Sequence, residues 1–256
     1  MNGQDFLSNY LGGFSNDYVL IGGNACVLNF EKIKVEFRAT ADLDIVLIVD
    51  NHNDKFYAHL CQYLIDNEYV GGLYRCKENN ACAYRFTLKG EQKVDRPKII
   101  ELFSKKPDYF DAEKSDKLHI TPIETAEGIS NLSAILLDDE VYDFVIKHKY
   151  KIDNVSTVNL QCLFGLKSIA WHNNEKLFAE GIVTKEVTVY KHPADMVRIA
   201  AVIPESEYLY PKGIFESIQE SKNKLQSPEV AGKISEVADS IEQTVYFIDE
   251  FVKQED

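Results

Sequence analysis

The sequence predicts an α/β (α+β) fold, with a mixed β-sheet core followed by a helical C-terminal half. Three observations predict it. Leu43, Ile45, Val46, Leu47, Ile48 and Val49 form the most β-branched run in the chain, as a central strand requires. A short apolar stretch, 18–21, runs into the pair Gly22-Gly23, which reads as a strand ending in a tight turn. From about residue 131 onward the pattern changes to helical spacing.

The elements follow in order. Residues 24–31 look helical after the glycine turn, and the central strand closes at Asp50-Asn51. Phe56, Leu60, Cys61, Leu64 and Ile65 recur at helical spacing, so a helix over 54–68 returns the chain across the sheet. Strands near 73–77 and 82–88 flank the turn-prone Lys77-Glu78-Asn79-Asn80 and are expected to pair as a hairpin. After the turn Lys89-Gly90-Glu91-Gln92, residues 98–103 form a further strand. Helices are expected at 132–148, 156–172, 193–203, 212–224 and 228–253. A soft domain boundary is therefore placed near residue 130, giving an α/β domain over 1–130 and a helical domain over 131–256.

Composition narrows the function. With 45% hydrophobic and 27% charged residues, 13 Gly and 7 Pro, the chain is an ordinary globular protein. Its formal net charge of −13 argues against a generic nucleic-acid surface, because affinity for a phosphate backbone comes from Lys and Arg. No apolar run approaches the roughly 18 residues that cross a bilayer, and the N-terminus lacks a basic stretch with an apolar core, so no membrane partner and a cytoplasmic location are expected. Five scattered cysteines without C-x-x-C spacing read as reduced thiols. His52, His59 and Cys61 lie near one another, but polar neighbours on a helix are ordinarily solvated and no zinc is expected.

The chemistry concentrates in Arg38-Ala39-Thr40-Ala41-Asp42-Leu43-Asp44-Ile45, where a loop enters the central strand. Side chains alternate along a strand, so Asp42 and Asp44 share one face with α-carbons about 7 Å apart. Hard oxygen ligands so spaced suit Mg²⁺ or Mn²⁺ better than zinc. Gly22-Gly23 lets backbone N–H groups approach a phosphate, although Gly22-Gly23-Asn24-Ala25-Cys26-Val27 is not a dinucleotide-binding fingerprint. Arg38 and Thr40 add a cation and a hydroxyl suited to steering phosphate oxygens.

Gly22-Gly23-Asn24-Ala25 followed by Arg38-x-Thr40-x-Asp42-Leu43-Asp44 resembles the signature of the polymerase-beta-type nucleotidyltransferase superfamily, and within it the AbiEii-like branch, whose members include toxins of toxin–antitoxin systems. That branch has G-G-T-A, R-x-T-x-D-[LI]-D, a third acid before L-F, a helical lysine and a K-D-x-x-D-L segment. The resemblance implies a nucleotidyltransferase fold in which Glu101 of Ile100-Glu101-Leu102-Phe103 is the third acid and Lys167 the lysine. It places Lys191-His192-Pro193-Ala194-Asp195-Met196 at the last segment. It spans about residues 18 to 200, with Asn24, Glu101 and His192 as departures from the commoner residues. It implies that Gly22, Gly23, Asn24, Arg38 and Thr40 bind a nucleoside triphosphate, and that Asp42, Asp44 and Glu101 hold Mg²⁺ or Mn²⁺. The helical half, with Lys167 and Asp195, would pack over the cleft.

The expected reaction transfers a nucleoside monophosphate to an acceptor hydroxyl on a protein, small molecule or RNA, with an antitoxin as a further partner. The competing expectation is a catalytically silent nucleotide-binding module on the same fold. Three residues keep local alternatives. Glu101 interrupts an apolar run, which fits either the site or the wet face of an edge strand. Leu160, Leu163, Phe164, Lys167 and Trp171 form an apolar stripe, so Lys167 either snorkels to water or meets the leaving pyrophosphate. Pro193 suits a first helical turn, where Asp195 would complement the helix dipole or support catalysis.

Overall fold

The structure is a computed structural model that describes residues 9–48, 53–71, 74–75, 81–82, 85–90, 96–105, 120–125, 128–181 and 183–255. His52, the Asp50-Asn51 turn, Cys76 and Lys77 to Asn80 lie outside the described residues, as do Glu91 and Gln92. The chain divides into two compact units, Met1–Val158 and Asn159–Asp256.

The first unit is α/β around a mixed sheet. Strand β1 (Tyr18–Ile21), buried at all four positions, runs antiparallel to β2 (Asp42–Leu47). Helix α1 (Gly22–Lys32) starts directly from β1, and α2 (Asp54–Asp66) begins where the Asn53 side chain accepts from the Phe56 amide at 3.4 Å. Beyond α2 come β3 (Tyr69–Gly71), β4 (Tyr74–Arg75), β5 (Ala81–Cys82), β6 (Arg85–Leu88) and β7 (Ile99–Lys105). The expected hairpin is present in short form, since β4 pairs antiparallel with β5, whereas β6 pairs with β3 and β7. Strand β7 is parallel to β2, and it has two partners along its other edge. Residues Ile99 to Glu101 meet β6, and Phe103 to Lys105 meet β9 (Gly128–Leu137), which also pairs with β8 (Ile120–Thr125).

The helix expected over 132–148 is replaced by the end of β9 and a shorter helix, α3 (Asp139–Lys147). Leu136 and Leu137 find ladder partners in Ser104 and Lys105, and Asp138 caps the helix by accepting from the Glu140 amide at 2.9 Å. Cross-strand pairing there overrides helical periodicity. The helix expected from 156 is corrected in the same way. Val155-Ser156-Thr157-Val158 is β11 (Val155–Val158), turned through Asp153 at φ 51 from β10 (Lys149–Ile152), and it lies parallel to β1. This hairpin moves the division of the chain from near 130 to Val158.

The second unit is mainly helical. Helix α4 (Leu160–Ala179), capped by Asn159, buries Leu163, Phe164, Lys167 and Trp171. Gly165 permits close helix approach, because a β-carbon there would stand 2.7 Å from Ile214 and 3.2 Å from the Tyr210 ring. Helix α5 spans Glu186–Ala200 rather than 193–203, so Pro193 lies inside it and not in its first turn. After β12 (Tyr208–Tyr210), α6 runs Lys212–Leu225. The last expected helix breaks into α7 (Pro228–Lys233), a 3₁₀ segment (Ser235–Ser240) and α8 (Ile241–Phe251), and β13 (Val252–Gln254) then pairs with β12. No helix among the described residues is long and apolar enough to cross a membrane.

Candidate active site

Four strands set one row of side chains. Ile21 of β1 pairs with Asp44 of β2, Asp44 with Glu101 of β7, and Glu101 with Arg85 of β6. Paired residues project from the same face, and neighbouring strands lie about 4.8 Å apart, so Asp44 and Glu101 stand side by side. Asp42 shares that face two residues earlier. Burial follows the alternation: Leu43, Ile45, Ile100 and Leu102 are fully buried on the opposite face, whereas Asp42, Asp44, Glu101 and Arg85 are only partly covered. An edge-strand position for Glu101 is thus excluded, because β7 has neighbours on both sides at that residue.

The glycine pair is fitted to this row by close approach. Gly22 sits at φ +72, in the left-handed region, and a β-carbon there would overlap the carboxylate of Asp44. A β-carbon on Gly23 would come 2.7 Å from the Thr40 hydroxyl. The turn from β1 into α1 therefore lies directly against Asp44 and Thr40. Ile21 supplies no capping side chain, and no acid occupies the first turn of α1, whose positive end therefore begins beside the acids. Asn24 is buried, and its amide donates to the Asp42 carbonyl at 2.5 Å, tying the start of the helix to the acid strand. Arg38 is half-buried over the Phe37 ring, 5.6 Å from its centre.

Glu101 accepts from Arg85 Nη1 at 2.9 Å, with side-chain exposures of 20% and 43% respectively. This partner lies on β6, across β7 from the strand of Asp44. Among the described residues, no three His, Cys, Asp or Glu side chains are gathered closely enough to hold a metal ion. Asp42, Asp44 and Glu101 therefore share a face without forming a closed cage. Their donor chemistry suits a hard divalent cation.

The other two candidates meet in the second unit. Lys167, 4% exposed, does not snorkel; its ammonium stands 2.9 Å from Asp195 Oδ2, and Asp195 is fully buried. Asp195 also stands 3.4 Å from Arg198 Nη1, and Arg198 reaches Glu236 at 3.2 Å. The dipole role considered for Asp195 is corrected, since the residue lies well inside α5. Its neighbour His192 is nearly buried, with Nε2 3.1 Å from the Asn174 amide nitrogen. His59, from the dismissed metal cluster, stacks on Tyr10 at 4.0 Å, and its Nε2 stands 2.9 Å from the Tyr10 carbonyl.

Sequence reasoning missed Arg85 and Arg198. The first was signalled by Arg85-Phe86-Thr87-Leu88, whose alternation puts Arg85 on a polar face able to pair with an acid across the strands. The second follows Asp195 at i+3 spacing on a helix. Comparison with protein-family models, curated proteins and solved structures finds no match for the chain.

Proposed function

We propose that the protein is a metal-dependent nucleotidyltransferase of AbiEii-like type, transferring a nucleoside monophosphate from a nucleoside triphosphate to an acceptor hydroxyl. One observation carries this: Asp44 and Glu101 are ladder partners, with Asp42 on the same face, and the Gly22-Gly23 turn lies against Asp44 at the start of a helix. Asp42, Asp44 and Glu101 would hold Mg²⁺ or Mn²⁺, which when bound stabilises the attacking and leaving oxygens of an in-line phosphoryl displacement. The first-turn amides of α1 would receive the triphosphate, with Thr40 and Arg38 beside them. Glu101 would orient the acceptor hydroxyl. Protein and small-molecule acceptors fit the net charge of −13 at least as well as RNA does.

A catalytically silent nucleotide-binding module with the same fold is the second reading, favoured by the Arg85 contact at Glu101. One experiment separates them: incubation with each labelled nucleoside triphosphate, Mg²⁺ or Mn²⁺ and a cell extract, with pyrophosphate release and labelled product followed together. The expected result is transfer that Asp42→Asn and Asp44→Asn each lower by about 10³-fold or more, from loss of metal-borne charge stabilisation. Binding of triphosphate with Mn²⁺ but no pyrophosphate release would establish the silent module instead.

A further inference from the structure

Arg85 is the cation of the acid row. It is the antiparallel ladder partner of Glu101, bonds its carboxylate at 2.9 Å, and keeps a side-chain exposure of 43%. Glu101 in turn is the ladder partner of Asp44. The guanidinium thus neutralises one charge of the acid row, and it does so from the side away from Asp44. An ion pair of this exposure contributes little to stability, so retention of the sheet does not require it.

We propose that Arg85 is an internal counter-ion: it competes with the divalent cation for Glu101 and, once displaced, binds the anionic phosphates of the substrate. This rests on the nucleotidyltransferase reading of the same row. Two consequences of opposite sign follow. Removing the guanidinium makes the row more negative and takes one cationic partner from Glu101, which strengthens cation binding. It also deletes a half-exposed cation that can turn to a phosphate, which weakens anion binding when the cation is present.

The test uses the full chain and two simple probes, Mn²⁺ alone and inorganic tripolyphosphate in saturating Mn²⁺, each titrated by calorimetry. Arg85→Gln is expected to bind Mn²⁺ about fivefold more tightly and tripolyphosphate about tenfold more weakly, as loss of one charge at close range implies. Arg85→Lys keeps the charge and should stay within about twofold of the original protein in both titrations. In a Glu101→Gln background, Arg85→Gln should change Mn²⁺ affinity by less than about twofold, since the pair acts as a unit. An unchanged or weaker Mn²⁺ affinity in Arg85→Gln, or an unchanged tripolyphosphate affinity, overturns the counter-ion role alone. Failure of the unsubstituted protein to bind Mn²⁺ at all removes the metal site and the proposed function with it.

Discussion

Gly22 has a structural role that its place in the sequence does not reveal. The sequence suggests backbone access to a phosphate; the fold shows Gly22 at φ +72, leaving the space that the Asp44 carboxylate fills. Gly181 is a matched control, with φ +73 and nothing within 4 Å of an added β-carbon. Both Gly22→Ala and Gly181→Ala should lose about 1–2 kcal/mol to left-handed backbone strain. Only Gly22→Ala should also weaken Mn²⁺ binding, by displacing Asp44, and undiminished affinity in that variant would separate the turn from the site. The aspartates were legible because a period of two is fixed by strand geometry. Arg85 was not, because its partner is 16 residues away and nothing local specifies which strands become neighbours.

At the scale of elements, the strands before residue 106 were largely legible and the boundary between sheet and helices was not. Leu132, Ala134, Ile135, Leu136 and Leu137 suit a buried helix or a buried strand equally, and pairing with β7 decides between them. Helix α5 starts seven residues before Pro193, which marks a helix start on statistics but here lies mid-helix. That shift changes what Asp195 does. It is the buried counter-ion of Lys167 on α4 and is approached by Arg198 as well. Asp195→Asn takes the buried carboxylate from Lys167 and leaves Arg198 with Glu236, and it should cost about 3–5 kcal/mol in chemical denaturation. Lys167→Met keeps the packing length and leaves Arg198 beside Asp195, so its loss should be smaller. A reversed order would show that Arg198 does not contribute. Turnover of both variants should be compared per folded molecule, which isolates any part the pair has in the reaction from its part in holding α4 to α5.

For the whole molecule, both units resist ionisation of buried phenols. Burial pushes Tyr18 in the first unit up to about 12 and Tyr210 in the second well above the ordinary value. Each phenol is more readily deprotonated when unfolded, so its contribution is complete below pH 10 and is lost as pH rises through the folded value. Stability should therefore fall between pH 10 and about 12, and Tyr18→Phe should remove about 2 kcal/mol of that fall. An unaltered alkaline limb in Tyr18→Phe would place the loss elsewhere. The same strand that carries Tyr18 governs the order in which the molecule can be made. Among the described residues β1 is the earliest strand of the sheet in the sequence, yet one of its two neighbours is β11, where the Thr157 hydroxyl donates to the Leu20 carbonyl across 137 residues. Pairings so distant in sequence form slowly. Until Val158 has emerged, a nascent chain carries a wholly apolar strand with one open edge, the state most prone to mispairing with another chain. The acid row, finished only after Glu101, thus depends on an edge closed by residues made more than fifty positions later.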